Sequence, residues 1–411
     1  MILALLLCLS ALESNLDPAF NKVPFDEWLK DSNPSPFHWT VTGPHVELSF
    51  QQRILAQFAI RLDGRDLQDR RTHGQFVFFI QITDREGTRF QNHGVIELSK
   101  VDENVKAAYV DYTQRAFLLP GEYRVALALL DAGTGEHSVH QGQFRVPAAP
   151  REFLNAAWRG LPEVEFVGKE DTPDSWFLPE VQGHLQWAAA VHNPAQIDVI
   201  LNVTAHHTHS SDMAALLPTL KVLTQTGSPS VGERVELFDL SRRRAALDES
   251  NVHDLEWEKL KQAMGESNTA SIDVGSLSQR HQEAQFFVSQ VRSVLRKAQQ
   301  PCVLVVLTPP VAFEPGTTKD ELAPISTEAL PACKVVYIRY RAPVLRDRAY
   351  DPGFGGRGRV GRMERPPYPV RPLEEIDQLE QTLKPLNPKV FDVGTPEEMT
   401  KALVEIEKDL R

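Results

Sequence analysis

Cysteine is scarce in this sequence, three residues in 411, and one of them, Cys8, falls inside the first apolar run. A scaffold held together by disulfides is therefore excluded, and packed cores must do the stabilising. Positive charge is also in the minority: 44 Lys and Arg stand against 55 Asp and Glu, for a formal net charge of -11. That balance argues against nucleic acid as a partner, because phosphate binding needs a basic face. After the N-terminus no stretch approaches the apolar length of a membrane helix, so no membrane span is expected. No Gly-x-Ser-x-Gly elbow is present to place a nucleophile, and the glycines of 353–361 lack the strand before and the helix after that a phosphate loop requires. What is present, 42% hydrophobic and 24% charged residues, suits a folded globular chain long enough for two domains.

Residues 1–14 (MILALLLCLSALES) are too short to cross a bilayer and have the length of a signal-peptide core, although they lack the usual positive start. The expectation is a mature chain beginning near Asn15 and a periplasmic or secreted location. Leu7 before Cys8 is too large for a lipoprotein site. Cys302 and Cys333 then remain; they precede two apolar strands and could form one bridge if those strands are neighbours.

Residues 15–45 read as an N-terminal helical or extended segment. Its 22–30 portion (KVPFDEWLK) reads as a short amphipathic helix showing Phe25, Trp28 and Leu29, which Pro34 and Pro36 terminate. Over 46–147 the pattern becomes extended and alternating, with strands expected at 53–62, 75–83, 94–98, 107–119, 122–131 and 138–146. Asp63-Gly64, Pro120-Gly121 and Gly133-Thr134-Gly135 supply turns between them. Strands at this spacing predict an antiparallel sandwich of immunoglobulin or fibronectin III type, and 118–131 (LLPGEYRVALALLD) resembles its late strands. Residues 148–184, rich in Pro, Trp and acids, read as a connector.

From 185 to 411 the period switches. Apolar strands at 197–203, 234–240, 303–307, 335–338 and 389–393 alternate with helical patterns at 254–264, 282–297, 373–383 and after Thr395, which with Pro396 and Glu398 writes a capping box. Residues 243–247 are expected to return antiparallel beside 234–240. This alternation predicts a doubly wound, mostly parallel, Rossmann-like sheet with helices on both faces. Residues 341–371, rich in Pro, Gly and Arg, have no usable period and read as a disordered insert.

The run IDVILNVTAH (197–206), followed by a helix and then by the hairpin RVELFDLSRRRAAL (234–247), resembles a von Willebrand factor A domain. With a sandwich in front, the chain is similar to exported acidobacterial VWFA-related proteins. The resemblance covers roughly 185–411. It implies a metal-ion-dependent adhesion site, built in that family from Asp-x-Ser-x-Ser after the first strand, a later Thr, and an Asp after the fourth strand. Here Asn202, Thr204 and His206 stand at the three first positions, Thr269 or Ser271 at the hydroxyl position, and Thr308 where the Asp belongs. A hard divalent cation needs carboxylate oxygens, so the resemblance implies a degenerate site that binds without metal.

A different chemistry is open at the same loop. His206, His207 and His209, with Asp212 nearby, have the ligand types of a zinc, copper or nickel site; solvent-facing histidines are the plainer reading. The 341–371 arm, with Tyr350, Phe354 and Tyr368 among its arginines, could contact a polyanion. Asn202-Val203-Thr204 also spells a glycosylation sequon, but at the end of a buried strand. The functional expectation is a non-enzymatic binding or scaffolding protein with no cofactor and an unknown protein partner in the cell envelope or exterior.

Overall fold

The computed structural model describes residues 16–31, 35–101, 105–106, 108–148, 152–167, 195–204, 210–226, 231–252, 255–256, 259–260, 262–264, 282–298, 301–313, 325, 333–341 and 377–410. The chain divides into two compact units, residues 1–173 with 182–185, and residues 174–181 with 186–411.

The first unit is built from two antiparallel sheets. One runs in the order β1 (Trp39–Leu48), β2 (Ile54–Asp63), β5 (Tyr109–Leu118), β8 (Val164–Phe166); the other runs β4 (Arg89–Glu97), β3 (Gln75–Thr83), β6 (Gly121–Asp131), β7 (His137–Val146). Every second residue of the strands turns inward, as the pleat requires. Phe58 of β2 meets Phe144 of β7 at 5.6 Å between ring centroids, and Phe78 of β3 meets Tyr112 of β5 at 5.6 Å, so aromatic pairs join the two sheets. At the β5–β6 corner the Tyr123 hydroxyl donates to the Leu119 carbonyl at 2.9 Å.

Three features of this unit differ from the sequence expectation. Strand β1 lies partly in the segment 15–45 and runs through Gly43-Pro44, a pair of turn-forming residues. In the structure that dipeptide sits at a register shift on an edge strand, where a missing N–H costs nothing. Strand β4 starts at Arg89 and not at 94, because an edge strand tolerates the polar run Gln91-Asn92-His93. The stretch 148–184 is not wholly connector, since it contains helix α3 (Glu152–Ala157) and β8.

The expected helix at 22–30 is also shorter. A 3-10 turn (Pro18–Lys22) and the single turn α1 (Phe25–Trp28) lay Phe20, Phe25 and Trp28 as a strap on the outer face of the second sheet, over Phe79, Ala126 and Ala128. Pro18 opens the first turn and Pro24 interrupts any longer helix. Asp17 reaches His93, and Asp26 reaches Arg89 at 2.9 Å. A second single-turn helix, α2 (Gly64–Asp69), follows β2.

The second unit carries one six-stranded sheet. Its order is β11 (Arg244–Ser250), β10 (Val231–Asp239), β9 (Ala195–Asn202), β12 (Cys302–Thr308), β13 (Lys334–Tyr340), β14 (Lys389–Val393). All neighbours are parallel except β10 and β11, which form a hairpin. The central strands are apolar because both faces are covered. On one face Phe287, Val291 and Leu295 of α5 (Gln282–Lys297), with Leu379 and Leu383 of α6 (Gln378–Leu383), pack on Ile200, Leu304, Val306 and Tyr337. Helix α4 (Ser210–Leu223) contacts β9, β12 and β13, helix α7 (Pro396–Leu410) contacts β12, β13 and β14, and none of their residues joins that cluster, so they cover the opposite face. The capping box at α7 is formed: Glu398 accepts from Thr395 N at 3.1 Å, and Thr395 Oγ1 from Glu398 N at 3.3 Å. Cys302 and Cys333, at the amino ends of β12 and β13, are bridged with a Cα separation of 4.8 Å. Among the described residues no helix is long and apolar enough to cross a membrane. The expected insert 341–371 lies outside the described residues after Arg341.

Candidate functional site at the carboxyl edge of the sheet

In an open α/β sheet the ligand crevice lies beyond the carboxyl ends of the strands, where the strand order reverses. Here that point falls between β9 and β12. The chain leaves β9 toward β10 on one side, and later enters β12 on the other.

Three of the expected site residues meet there. Asn202 ends β9, Thr308 ends β12, and Thr204 begins the loop after β9; all three are 0% exposed. The Asn202 amide donates to Thr308 Oγ1 at 3.3 Å, and its carbonyl oxygen accepts from Thr204 N at 3.0 Å. Thr204 Oγ1 accepts from Leu240 N at 2.7 Å, and Thr308 Oγ1 donates to the Pro309 carbonyl at 3.0 Å. These neutral groups close the switch point by bonding one another and the β10–β11 hairpin. Asn202 at a fully buried strand end also leaves no room for a glycan.

Two buried carboxylates, Asp239 and Asp212, lie near the carboxyl ends of the strands. Asp239, buried at the end of β10, accepts from Ser241 Oγ at 2.7 Å and Arg242 N at 3.2 Å, and so shapes the hairpin tip. Asp212, in the first turn of α4, is buried. Burial, and secondarily the charge of Asp212, raises the pKa of Tyr340 at the end of β13. His206, His207, His209 and Thr269 lie outside the described residues. Among the described residues no group of three or more His, Cys, Asp or Glu is arranged to hold a metal.

The sequence reading passed over a second polar assembly on the same edge. Arg339, in register with Thr308, is 8% exposed. Its guanidinium donates to Asp392 at 2.6 and 3.1 Å, to Asp377 at 2.9 Å and to Glu380 at 2.7 Å; Asp377 also accepts from Tyr337 Oη at 2.9 Å. Desolvation opposes its charge, but the bonds to Asp392 and Asp377 outweigh it, and the net effect raises its pKa. The bond from Arg339 holds Asp392 below the usual carboxylate range. The available signal was an arginine inside the run VVYIRY, where a charge must be paired to be buried.

No family model matches the chain, and no curated protein matches it. Among solved structures it is similar to a Bordetella pertussis protein described as ApaA: 21% identity, 29% of this chain and 99% of that chain covered, TM-score 0.19. A TM-score that low carries no argument about either unit.

Proposed function

We propose that the protein is an exported, non-enzymatic binding or scaffolding protein in which an immunoglobulin-like sandwich precedes a von Willebrand factor A-like domain that recognises a protein partner without a bridging metal. The sandwich assignment is supported by the strand orders β1-β2-β5-β8 and β4-β3-β6-β7 and by the Tyr123 corner, a hallmark of such domains. The A-like assignment is supported by the sheet order with its single antiparallel edge strand.

The observation that carries the functional reading is the lock made by Asn202, Thr204 and Thr308. Three of the positions where the resembling family collects carboxylate and hydroxyl ligands, Asn202, Thr204 and Thr308, hold neutral side chains that are fully buried and linked by hydrogen bonds through Asn202. Neutral oxygens alone do not offset the dehydration of magnesium or calcium. Recognition then falls to the surface around the lock, the β10–β11 hairpin tip included.

Calorimetric titration of the full chain with magnesium tests this. No binding heat is expected, and restoring one carboxylate with Asn202→Asp is not expected to create any while Thr308-Pro309 remains. Millimolar or tighter magnesium binding by the unaltered chain overturns the reading and returns it to metal-dependent adhesion.

A further inference from the structure

Midway along β9 and β10 of the same sheet lies a group of charges that the proposed function does not use. Asp198 of β9 lies beside Arg234 of β10 in the parallel register, and Glu236 lies directly opposite Asp248 in the hairpin register. Asp198, Arg234 and Glu236 are 1%, 4% and 2% exposed. Arg234 is committed to Asp248 through two bonds of 2.8 and 2.9 Å, and it reaches Glu236 only at 3.4 Å. Lys297, ending α5, approaches Asp248 at 3.6 Å and is largely solvent-exposed. Three carboxylates thus share one buried guanidinium. Glu236 Oε1 and Arg234 Nη1 are buried with no hydrogen-bond partner among the described residues.

A dry carboxylate oxygen facing a second carboxylate is expensive as an anion and cheap as an acid. We propose that the Asp198–Arg234–Glu236 cluster, with Asp248 and Lys297 at its rim, is a proton-binding site that grips the β10–β11 hairpin when the surroundings are acidic and slackens it when they are alkaline. Burial, followed by the charge of Asp248, pushes Glu236 up to about 7. Burial also pushes Asp198 up to about 6, against the pull of Arg234. The sign follows from linkage. An acid whose folded pKa is raised stays protonated in the folded state while the unfolded chain ionises. Stability is therefore lost from roughly pH 4.5 upward and levels off above the folded values. The proton comes from solvent, converts the Glu236 carboxylate into a neutral acid, and removes the repulsion across the hairpin.

The test compares thermal unfolding of the full chain and Glu236→Gln from pH 5 to pH 8 at fixed ionic strength. The variant should lose at least about 3 °C of the fall shown by the unaltered protein, and should melt higher at pH 8. Amide exchange of Arg244–Ser250, corrected for intrinsic rate, should lose protection toward pH 8 in the unaltered chain but not in the variant. Parallel melting profiles overturn the proposal. If the variant does not fold, carbon-13 carboxyl resonances of the unaltered chain decide instead, and a Glu236 midpoint in the ordinary glutamate range overturns it.

Discussion

Arg339 is the residue on which the carboxyl edge of the second unit depends. Removing it leaves Asp377 buried and deprived of a cation, the costly way to break a buried pair. Arg339→Met is expected to lower stability by about 3 kcal/mol in urea unfolding. The contribution through Asp392 has a depressed folded pKa, so it is present above the ordinary aspartate range and is lost as pH falls through the lowered value. The stability difference between the variant and the unaltered chain should accordingly narrow in acid. In the sandwich, Gly94 exists for close approach: a Cβ there would lie 1.8 Å from Tyr112 Oη. Gly94→Ala should destabilise, and pairing it with Tyr112→Phe should recover part of the loss, a coupling readable in a double-mutant cycle. Asn202, Thr204 and Thr308 were named in sequence only through the resemblance to an A domain, whose ligand positions they occupy, and the structure shows them hydrogen-bonded at two strand ends. Arg339 was not legible, since its partners lie tens of residues further along the chain and only the fold brings them together.

Elements that alternate cleanly were legible; those that break their own pattern were not. β9, β12 and β13 announce themselves as apolar runs, and the hairpin return of β11 follows from Leu237-Phe238 meeting Ala245 and Leu247. β1 was obscured by Gly43-Pro44, and β8 by its length of three residues. The N-terminal strap misled in a different way. Its aromatic spacing is helical, but two prolines hold it to single turns, and the face it covers, not its own propensity, decides its shape. The element most open to test is the β12–β13 pair. Replacing Cys302 and Cys333 by serine releases a loop closed across 31 residues of sequence separation, at an expected cost of about 3–4 kcal/mol, and a reductant should do the same to the unaltered chain. Equal denaturation midpoints with and without reductant would contradict this.

Across the whole molecule, each unit has its own core, one of cross-sheet aromatic pairs and one of a sheet sandwiched by helices. Scanning calorimetry is expected to resolve two transitions, because cooperativity follows the core and not the chain. Reductant should move only the one belonging to the six-stranded sheet. The order of a β unit before an α/β unit was readable from the change of hydrophobic period from 2 to 3.6. The boundaries were less so, because 148–184 mixes a strand and a helix with stretches that lack either signature.

The bridge between Cys302 and Cys333 also gives the second unit a mechanical character. If the chain is pulled from its ends, tension arriving from either side must pass through the bridge, and the residues between the two cysteines are shielded from it. Their slack, a sequence separation of 31 at roughly 3.5 Å per step or about 110 Å of contour, would stay hidden until the bond is reduced. Force spectroscopy of the full chain should therefore show an unfolding extension about 110 Å longer in reductant than without it, so the length available to a tethered partner would be set by the redox state of its surroundings.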